Sequence, residues 1–410
     1  MSDDKELISS LAEAIEGNNY LLTEILVRVP LRDVITFKRV SKRWLSLISA
    51  PYFSRIRTTV QRTTVSGVFL NPGINPVDPE LTFFYLDKKI RRFRPKIPDN
   101  SSRILQSCNG LIMLFHPGKD VFMYNPTTGA KKLLPPPFPS FDESSFAFYS
   151  LAFDPLRFFG YKLICIFKSS KEDFYQTMIY SSESGAWKHC GSSFSAPYDM
   201  DFTHGVYFKN SVYWISINTK TTLRFDLNKE CVKDDMPPLP PQPPDHNVAD
   251  PSYLNFMRIY SGFDNNRYGY ILAPACGYMN LVIFDYEFCI SVFQLKEDSS
   301  SSSSSRSWVL MYSVDLRRTN LETVFHVNLI ENYSFEGYEY SIIHLIEDGE
   351  NEMALLLQRP DKVITLRLKD HTYYDVFDIK IKRNPRHYCS FPGVMGWYRA
   401  FEYVESLACV

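Results

Sequence analysis

Two hydrophobic periods divide this chain. Over residues 21–48 apolar side chains recur every three or four positions, the spacing that lines one face of an α-helix. From about residue 64 the period shortens to two or gives way to short continuous apolar runs, the patterns of half-buried and fully buried strands. The runs "VSGVFL" (65–70), "LTFFYL" (81–86), "GLIMLF" (110–115), "VFMY" (121–124), "YKLICIF" (161–167), "TMIY" (177–180) and "SVYWIS" (211–216) are expected strands. So are "YGYILA" (268–273), "LVIFDY" (281–286), "SWVLMYSV" (307–314), "YSIIHLI" (340–346), "MALLLQ" (353–358) and "VITLRL" (363–368). No long helical pattern interrupts them, which argues against an α/β fold and for an all-β sandwich, barrel or propeller.

The helical stretch divides into three short helices. Leu21, Leu22, Ile25, Leu26 and Val29 line the first, and Pro30, which lacks an N–H and clashes with the preceding turn, ends it. Asp33 suits the first turn of a second helix carrying Val34, Phe37 and Val40. Ser41 is the expected N-cap of a third, with Trp44, Leu45 and Ile48 on its apolar side and Pro51 as its stop. Upstream, Leu7, Ile8, Leu11 and Ile15 fit either a short amphipathic helix or a frayed leader, and Gly17-Asn18-Asn19 breaks that pattern. The chain therefore divides into a leader (1–19), a helical segment (20–58) and a large β domain (59–410).

Within the β domain one unit recurs: a strand ending near an aromatic, a polar turn, then a second strand. It appears as "VFMYNPTTGAKKLLP" (121–135), "TMIYSSESGAWKHC" (177–190) and "LRFDLNKECVKDDMPPLP" (223–240), and more loosely as "VITLRLKDHTYYDVFDI" (363–379). Tyr124, Tyr180 and Phe225 hold equivalent places, at intervals close to the roughly 40–50 residues of a propeller blade. The expected architecture is a β-propeller of about six or seven irregular blades. "LLPPPFPS" (133–140) and "MPPLPPQPPD" (236–245) read as stiff connections, although each contains a PxxP, and Ser299–Ser305 reads as a surface loop.

Charge and chemistry narrow the function classes. The net charge is −1, so no global field points to nucleic acid or to a membrane, and neither is expected as a partner. Locally the balance is uneven. The leader carries Asp3, Asp4, Glu6, Glu13 and Glu16 against Lys5, whereas the helical segment carries Arg28, Arg32, Lys38, Arg39, Lys42, Arg43, Arg55 and Arg57 against Glu24 and Asp33. "KKIRRFRPK" (88–96) is basic and aromatic, but one such run in a near-neutral chain fits a solvated connection better than a nucleic-acid site. The start lacks the basic head and apolar middle of a signal peptide, and no run reaches the ~18 apolar residues of a membrane span. The eight cysteines make no CxxC pair, and Cys165 sits inside an apolar strand, so a reduced cytoplasmic or nuclear protein is expected. Phosphate-binding loops, nucleophile elbows and kinase signatures are absent from the sequence. His189 beside Cys190 is the nearest approach to a reactive pair, and neighbours on a strand point to opposite faces. The expectation is a non-catalytic chain with no cofactor and no metal.

The helical segment shows more apolar surface than a bundle of under 40 residues can hide. Either the β domain or another protein covers the excess. The stretch "LLTEILVRVPLRDVITFKRVSKRWLSLISAPYF" resembles the F-box, through Glu24–Pro30, the "F..VSK.W..LI" of Phe37–Ile48 and the closing Pro51–Phe53. It departs from the family at Gly17-Asn18, where a Leu-Pro usually stands. "SGVFL" (66–70), "SCNGLIML" (107–114), "YNPTTG" (124–129), "LAFDP" (151–155), "YKLICI" (161–166) and "SGAWK" (184–188) are similar to the propeller-like F-box-associated domain of plant proteins. The resemblance implies a substrate-receptor subunit of an SCF-type ubiquitin ligase. Its F-box would dock on a Skp-type adaptor, and through it a cullin, while the β domain holds a target protein. The implied adaptor-binding residues, or their immediate support, are Leu22, Ile25, Leu26, Val29, Pro30, Leu31, Val34, Phe37, Val40 and Trp44, with Arg28, Lys38, Arg39, Lys42 and Arg43 at the rim. Two other readings stay open: a non-proteolytic F-box module holding a protein or glycan, and a propeller enzyme with an incidental helical leader.

Overall fold

Strands whose two faces are both buried read as unbroken apolar runs, and the computed structural model explains where both faces go. It describes residues 14–15, 17–61, 64–71, 81–87, 95–96, 102–116, 121–137, 147–168, 174–241, 268–285, 289–298, 305–319, 326–328, 336–338, 341–349, 352–358, 362–378 and 399–410. Most of the acidic leader, the basic run at 88–94, Ser299–Ser304 and Cys389 lie outside these residues.

The β domain is a six-bladed propeller, at the lower end of the expected blade number. Blade 1 holds Val65–Asn71, Thr82–Tyr85 and, as its innermost strand, Arg399–Val404. Blade 2 holds Arg103–Cys108, Leu111–Phe115, Val121–Asn125 and Ala130–Leu133. Blade 3 holds Ala147–Ala152, Lys162–Lys168, Phe174–Ser181 and Ala186–Ser195. Blade 4 is Val206–Phe208, Ser211–Ser216, Thr221–Asp226 and Cys231–Lys233. Blade 5 is Tyr268–Ala275, Tyr278–Asp285, Cys289–Asp298 and Ser305–Asp315. Blade 6 is Ser341–Glu347, Met353–Gln358, Lys362–Arg367 and Tyr373–Asp378. All pairings are antiparallel, and the innermost strand of each blade touches that of the next, around to the start. A two-stranded ribbon, His326–Asn328 with Glu336–Tyr338, lies between blades 5 and 6 in sequence.

Core clusters fill the gaps between adjacent blades. In the second strand of blade 5, Leu281 and Ile283 pack toward blade 4 while Val282 and Phe284 pack toward blade 6. In blade 2, Leu111 and Met113 face blade 3 while Ile112 and Leu114 face blade 1. The two-residue period thus persists, but both of its faces are apolar. Tyr124, Tyr180 and Phe225 are each the penultimate residue of a third strand, so the recurring unit is the outer hairpin of a blade. Its turn is held by Asn125 Oδ1, which accepts from Thr127 N (2.9 Å) and Thr128 N (3.2 Å), and in blade 4 by Asp226 in the same way. Gly129 takes φ +76° at the end of the first of these turns.

The ring closes because Arg399–Val404 pairs with Val65–Asn71, joining segments far apart in sequence into one blade. Blade 1 is therefore complete only when Arg399–Val404 has paired.

Candidate functional site

Four helices precede the propeller among the described residues: α1 (Asn19–Leu26), α2 (Leu31–Phe37), α3 (Lys42–Ser49) and α4 (Pro51–Val60). The sequence pattern predicts three, with Pro51 as a stop. Pro51 instead stands at the first position of α4, where its missing N–H costs nothing. Ser41 caps α3 as expected, its Oγ accepting from Trp44 N at 3.1 Å. Asn18 caps α1, accepting from Tyr20 N (2.9 Å) and Leu21 N (3.3 Å). That gives a local purpose to a position where the sequence departs from the F-box pattern.

The expected interface residues separate into three groups. Leu22 (3 % exposed), Leu26 (1 %), Leu31 and Val34 (0 %) form the interior of the cluster, with Val27, Ile48 and Phe53. Val29, Phe37 and Trp44 are half-buried against that interior, and Phe37 meets Trp44 edge to face at 5.5 Å. Ile25 (47 % exposed), Val40 (59 %) and Pro30 face outward. Tyr20, Leu21, Leu45 and Tyr52 are also exposed. Helical spacing identifies the apolar set but not its division, because a short helix packed on two sides buries more than one stripe.

The cations divide likewise. Arg32, Arg39 and Lys42 are exposed. Arg28 pairs with Glu24 at 2.7 Å. Arg43 is used internally: its Nη2 donates to Gly17 O (2.7 Å) and Asn19 Oδ1 (2.8 Å), tying the start of α3 to the start of α1. Lys38 is half-buried, and burial lowers its pKa, with Cys409 opposing that effect.

Arg57, on α4, was not singled out by the sequence. Its buried guanidinium donates to Val29 O (2.7 Å), Val27 O (3.1 Å) and, at the limit, Leu26 O (3.5 Å). Val27 O and Val29 O lie just past the end of α1, where the macrodipole is negative, and Leu26 O also accepts from Val29 N at 3.3 Å. Burial lowers the pKa of Arg57, and Glu405 counteracts this.

His189 is exposed and Cys190 buried, on opposite faces of the outer strand of blade 3. Among the described residues no group of three or more His, Cys, Asp or Glu is placed to hold a metal ion, and the described cysteines form no disulfide. No helix among them is long and apolar enough to cross a membrane.

Two family models match parts of the chain. Residues 18–55 match the F-box domain, and residues 65–258 match the F-box associated beta propeller domain. An F-box protein of Arabidopsis thaliana is 28 % identical over 434 aligned residues, covering 98 % of this chain and 94 % of that one. A putative F-box protein of the same plant is 28 % identical over 54 % of this chain and 58 % of its own length. An F-box/kelch-repeat protein, also from Arabidopsis thaliana, is 26 % identical over 56 % of this chain and 54 % of its own. Among solved structures, TolB from Acinetobacter baumannii aligns with a TM-score of 0.39 at 11 % identity, over 86 % of this chain and 71 % of that one, too distant a likeness to carry an argument.

Proposed function

We propose, for a chain that belongs to the plant F-box proteins with an F-box-associated propeller, that it is the substrate-receptor subunit of an SCF-type ubiquitin ligase. The observation that carries the reading is the apolar surface left on the F-box after its own core is filled. Ile25, Val40, Leu45 and Leu21 remain exposed while Leu22, Leu26 and Val34 are buried. Apolar side chains at helical spacing fit a hydrophobic groove on a helical partner, here a Skp-type adaptor bridging to a cullin. The exposed Arg32, Arg39 and Lys42 act at the rim, where charge affects association rate and partner choice more than affinity.

The propeller holds the target. Tyr198, 86 % exposed, offers an aromatic anchor beside Asp199, which stiffens the adjoining turn by accepting from Ser216 Oγ (2.6 Å) and Asn218 N (3.0 Å). Tethering raises the target's effective concentration at the ubiquitin-conjugating enzyme, and the chain makes and breaks no covalent bond itself. Its setting is the cytoplasm, the nucleus or both.

The test is adaptor capture by the full chain carrying Ile25→Asp with Val40→Asp. Both residues are exposed, so the fold persists, and capture of a purified Skp-type adaptor falls at least tenfold. Undiminished capture overturns the assignment of this surface. Leu26 is unsuited to the experiment because a buried charge there would unfold the F-box instead. Ubiquitin transfer to a captured partner, with and without the F-box, separates a ligase subunit from a module that only binds.

A further inference from the structure

Beyond the closing strand of blade 1, residues 405–410 run between the F-box and the propeller and serve both. Asn125 Nδ2, on blade 2, donates to Ser406 O (3.1 Å) and Ala408 O (2.8 Å). Ser406 N donates to Thr127 Oγ1 (3.2 Å), which also meets the Tyr403 hydroxyl (3.1 Å). Ala408 is buried in the core between blades 2 and 3, and Val410 packs against that core. The intervening residues turn the other way. Leu407, 5 % exposed, lies in the F-box core with Leu22, Leu26 and Phe53. Cys409 Sγ donates to Ser49 O, the last residue of α3, at 3.4 Å. Glu405 acts electrostatically on Arg57. Alternation is what an extended segment does when each of its faces meets a different partner.

Space for this segment is built into blade 2. Gly110 stands at φ +93°, and a Cβ there would collide with the Ser406 side chain and lie 2.8 Å from Val404 O. A side chain at this turn would push the segment off the propeller.

We propose that residues 405–410 are a two-sided strap that makes a competent F-box conditional on a closed propeller. So small a helical cluster has little core to spare, and Leu407 is part of it. Pairing of Arg399–Val404 with Val65–Asn71 positions that residue, because it lies three residues beyond Val404 in the chain. A receptor whose propeller is open or incomplete therefore presents an F-box with a gap in its interior and loses adaptor affinity. Target-binding integrity is thereby reported to the adaptor-binding end. The second half of this statement rests on the adaptor-binding reading of the F-box; the first half does not.

The experiment uses the full chain with Leu407→Ala, Leu407→Asp and, separately, Asn125→Ala. Hydrogen exchange is followed by peptide in α1–α3 and in the blade 5 strand Tyr278–Asp285, and affinity for a purified Skp-type adaptor is measured alongside. Asn125 sits on the propeller and its Nδ2 holds the strap, so its variant acts on the F-box through the strap, while a separate contact between the two parts, Arg55 over the Phe159 ring at 5.1 Å, is left in place. Faster exchange in α1–α3, tenfold or more, with blade 5 unchanged in both Leu407→Ala and Asn125→Ala, supports the strap. A matching fall in adaptor affinity supports conditional loading. Unchanged α1–α3 exchange in Asn125→Ala overturns the coupling even if Leu407→Asp fails to fold. Changed exchange with unchanged affinity overturns the conditional loading. Absence of adaptor binding by the unsubstituted chain overturns the adaptor reading while leaving the exchange result to decide the coupling.

Discussion

Arg57→Met removes the group that finishes α1 from a different helix. Besides a bond to Gln61 Oε1 at 2.7 Å, the arginine gives two well-formed charge-assisted hydrogen bonds to the end of α1, to Val29 O at 2.7 Å and Val27 O at 3.1 Å, with Leu26 O at the margin. Such bonds contribute roughly 1.5–3 kcal/mol each, and a cation at a helix C-terminus adds about 0.3–2 kcal/mol. Taking the guanidinium out of water works against this, as the downward displacement of its pKa by burial indicates, and Glu405 relieves only part of it. The net cost of the substitution is about 2–4 kcal/mol after that opposing contribution. Expressed as local stability, this is a fall in amide protection across α1 of roughly 30- to 1,000-fold. The assay is native-state hydrogen exchange of the full chain, read on peptides from α1 with blade 5 peptides as the internal standard. Arg57→Lys keeps the charge but not the planar fork, and it should lose about half as much. Protection in Arg57→Met within about twofold of the unsubstituted chain would refute the capping argument, as would Lys and Met variants behaving alike.

Three further outcomes follow from the geometry. Gly205→Ala, at an ordinary φ of −62°, should destabilise the propeller by about 1–3 kcal/mol, because the new Cβ meets Ser150 Oγ and lies 2.5 Å from Trp214 Nε1; an unchanged thermal midpoint would contradict it. Asp235 bridges blades 4 and 5 through Arg224 and Arg306, the latter at 2.8 Å. Burial would raise its pKa, but hydrogen bonds and charge from both arginines outweigh that and bring it from 3.8 down to about 2. A carboxyl with a depressed folded-state pKa stabilises fully above its unfolded value and loses that contribution as pH falls from about 4 toward 2. Asp235→Asn should therefore flatten the acid limb of a denaturation profile over that window, and an unaltered limb would count against the bridge. Burial pushes the thiols of Cys108 and Cys165 up to about 12, so alkylation of the native chain at pH 8 should spare both and be faster at Cys409, whose thiol burial also raises but which is exposed. Rapid modification of Cys108 in the folded protein would oppose this.

Short-range patterns were enough to announce much of the architecture. Ser41 as a cap, Asp33 in the first turn of α2, the apolar runs from Val65 to Leu368 and the recurring outer hairpin all act within four residues or within one turn, whereas Pro30, the expected end of the first helix, follows a helix already ended at Leu26 and is the N-cap of α2. Period alone recovers such features because helix and strand repeat over those distances. The innermost strands carry a weaker apolar pattern. Arg103–Cys108 carries Gln106 and Ser107, and Arg399–Val404 carries Arg399 and Glu402, which dilutes the apolar signal. Gln106 uses its polarity to join blades, accepting from Leu151 N at 2.6 Å.

The amino-acid order by itself determined that a small helical cluster would precede a bladed β domain, and which side chains made up the apolar set of that cluster. Only the tertiary structure decided how those side chains are divided. It buries Leu22, Leu26, Leu31 and Val34, leaves Ile25, Val40 and Pro30 outside, and draws Arg57 and Leu407 into the F-box from α4 and from beyond the closing strand. Those assignments depend on which surfaces meet across hundreds of residues. A local period carries no information about such meetings, and closure of the ring is what brings them about.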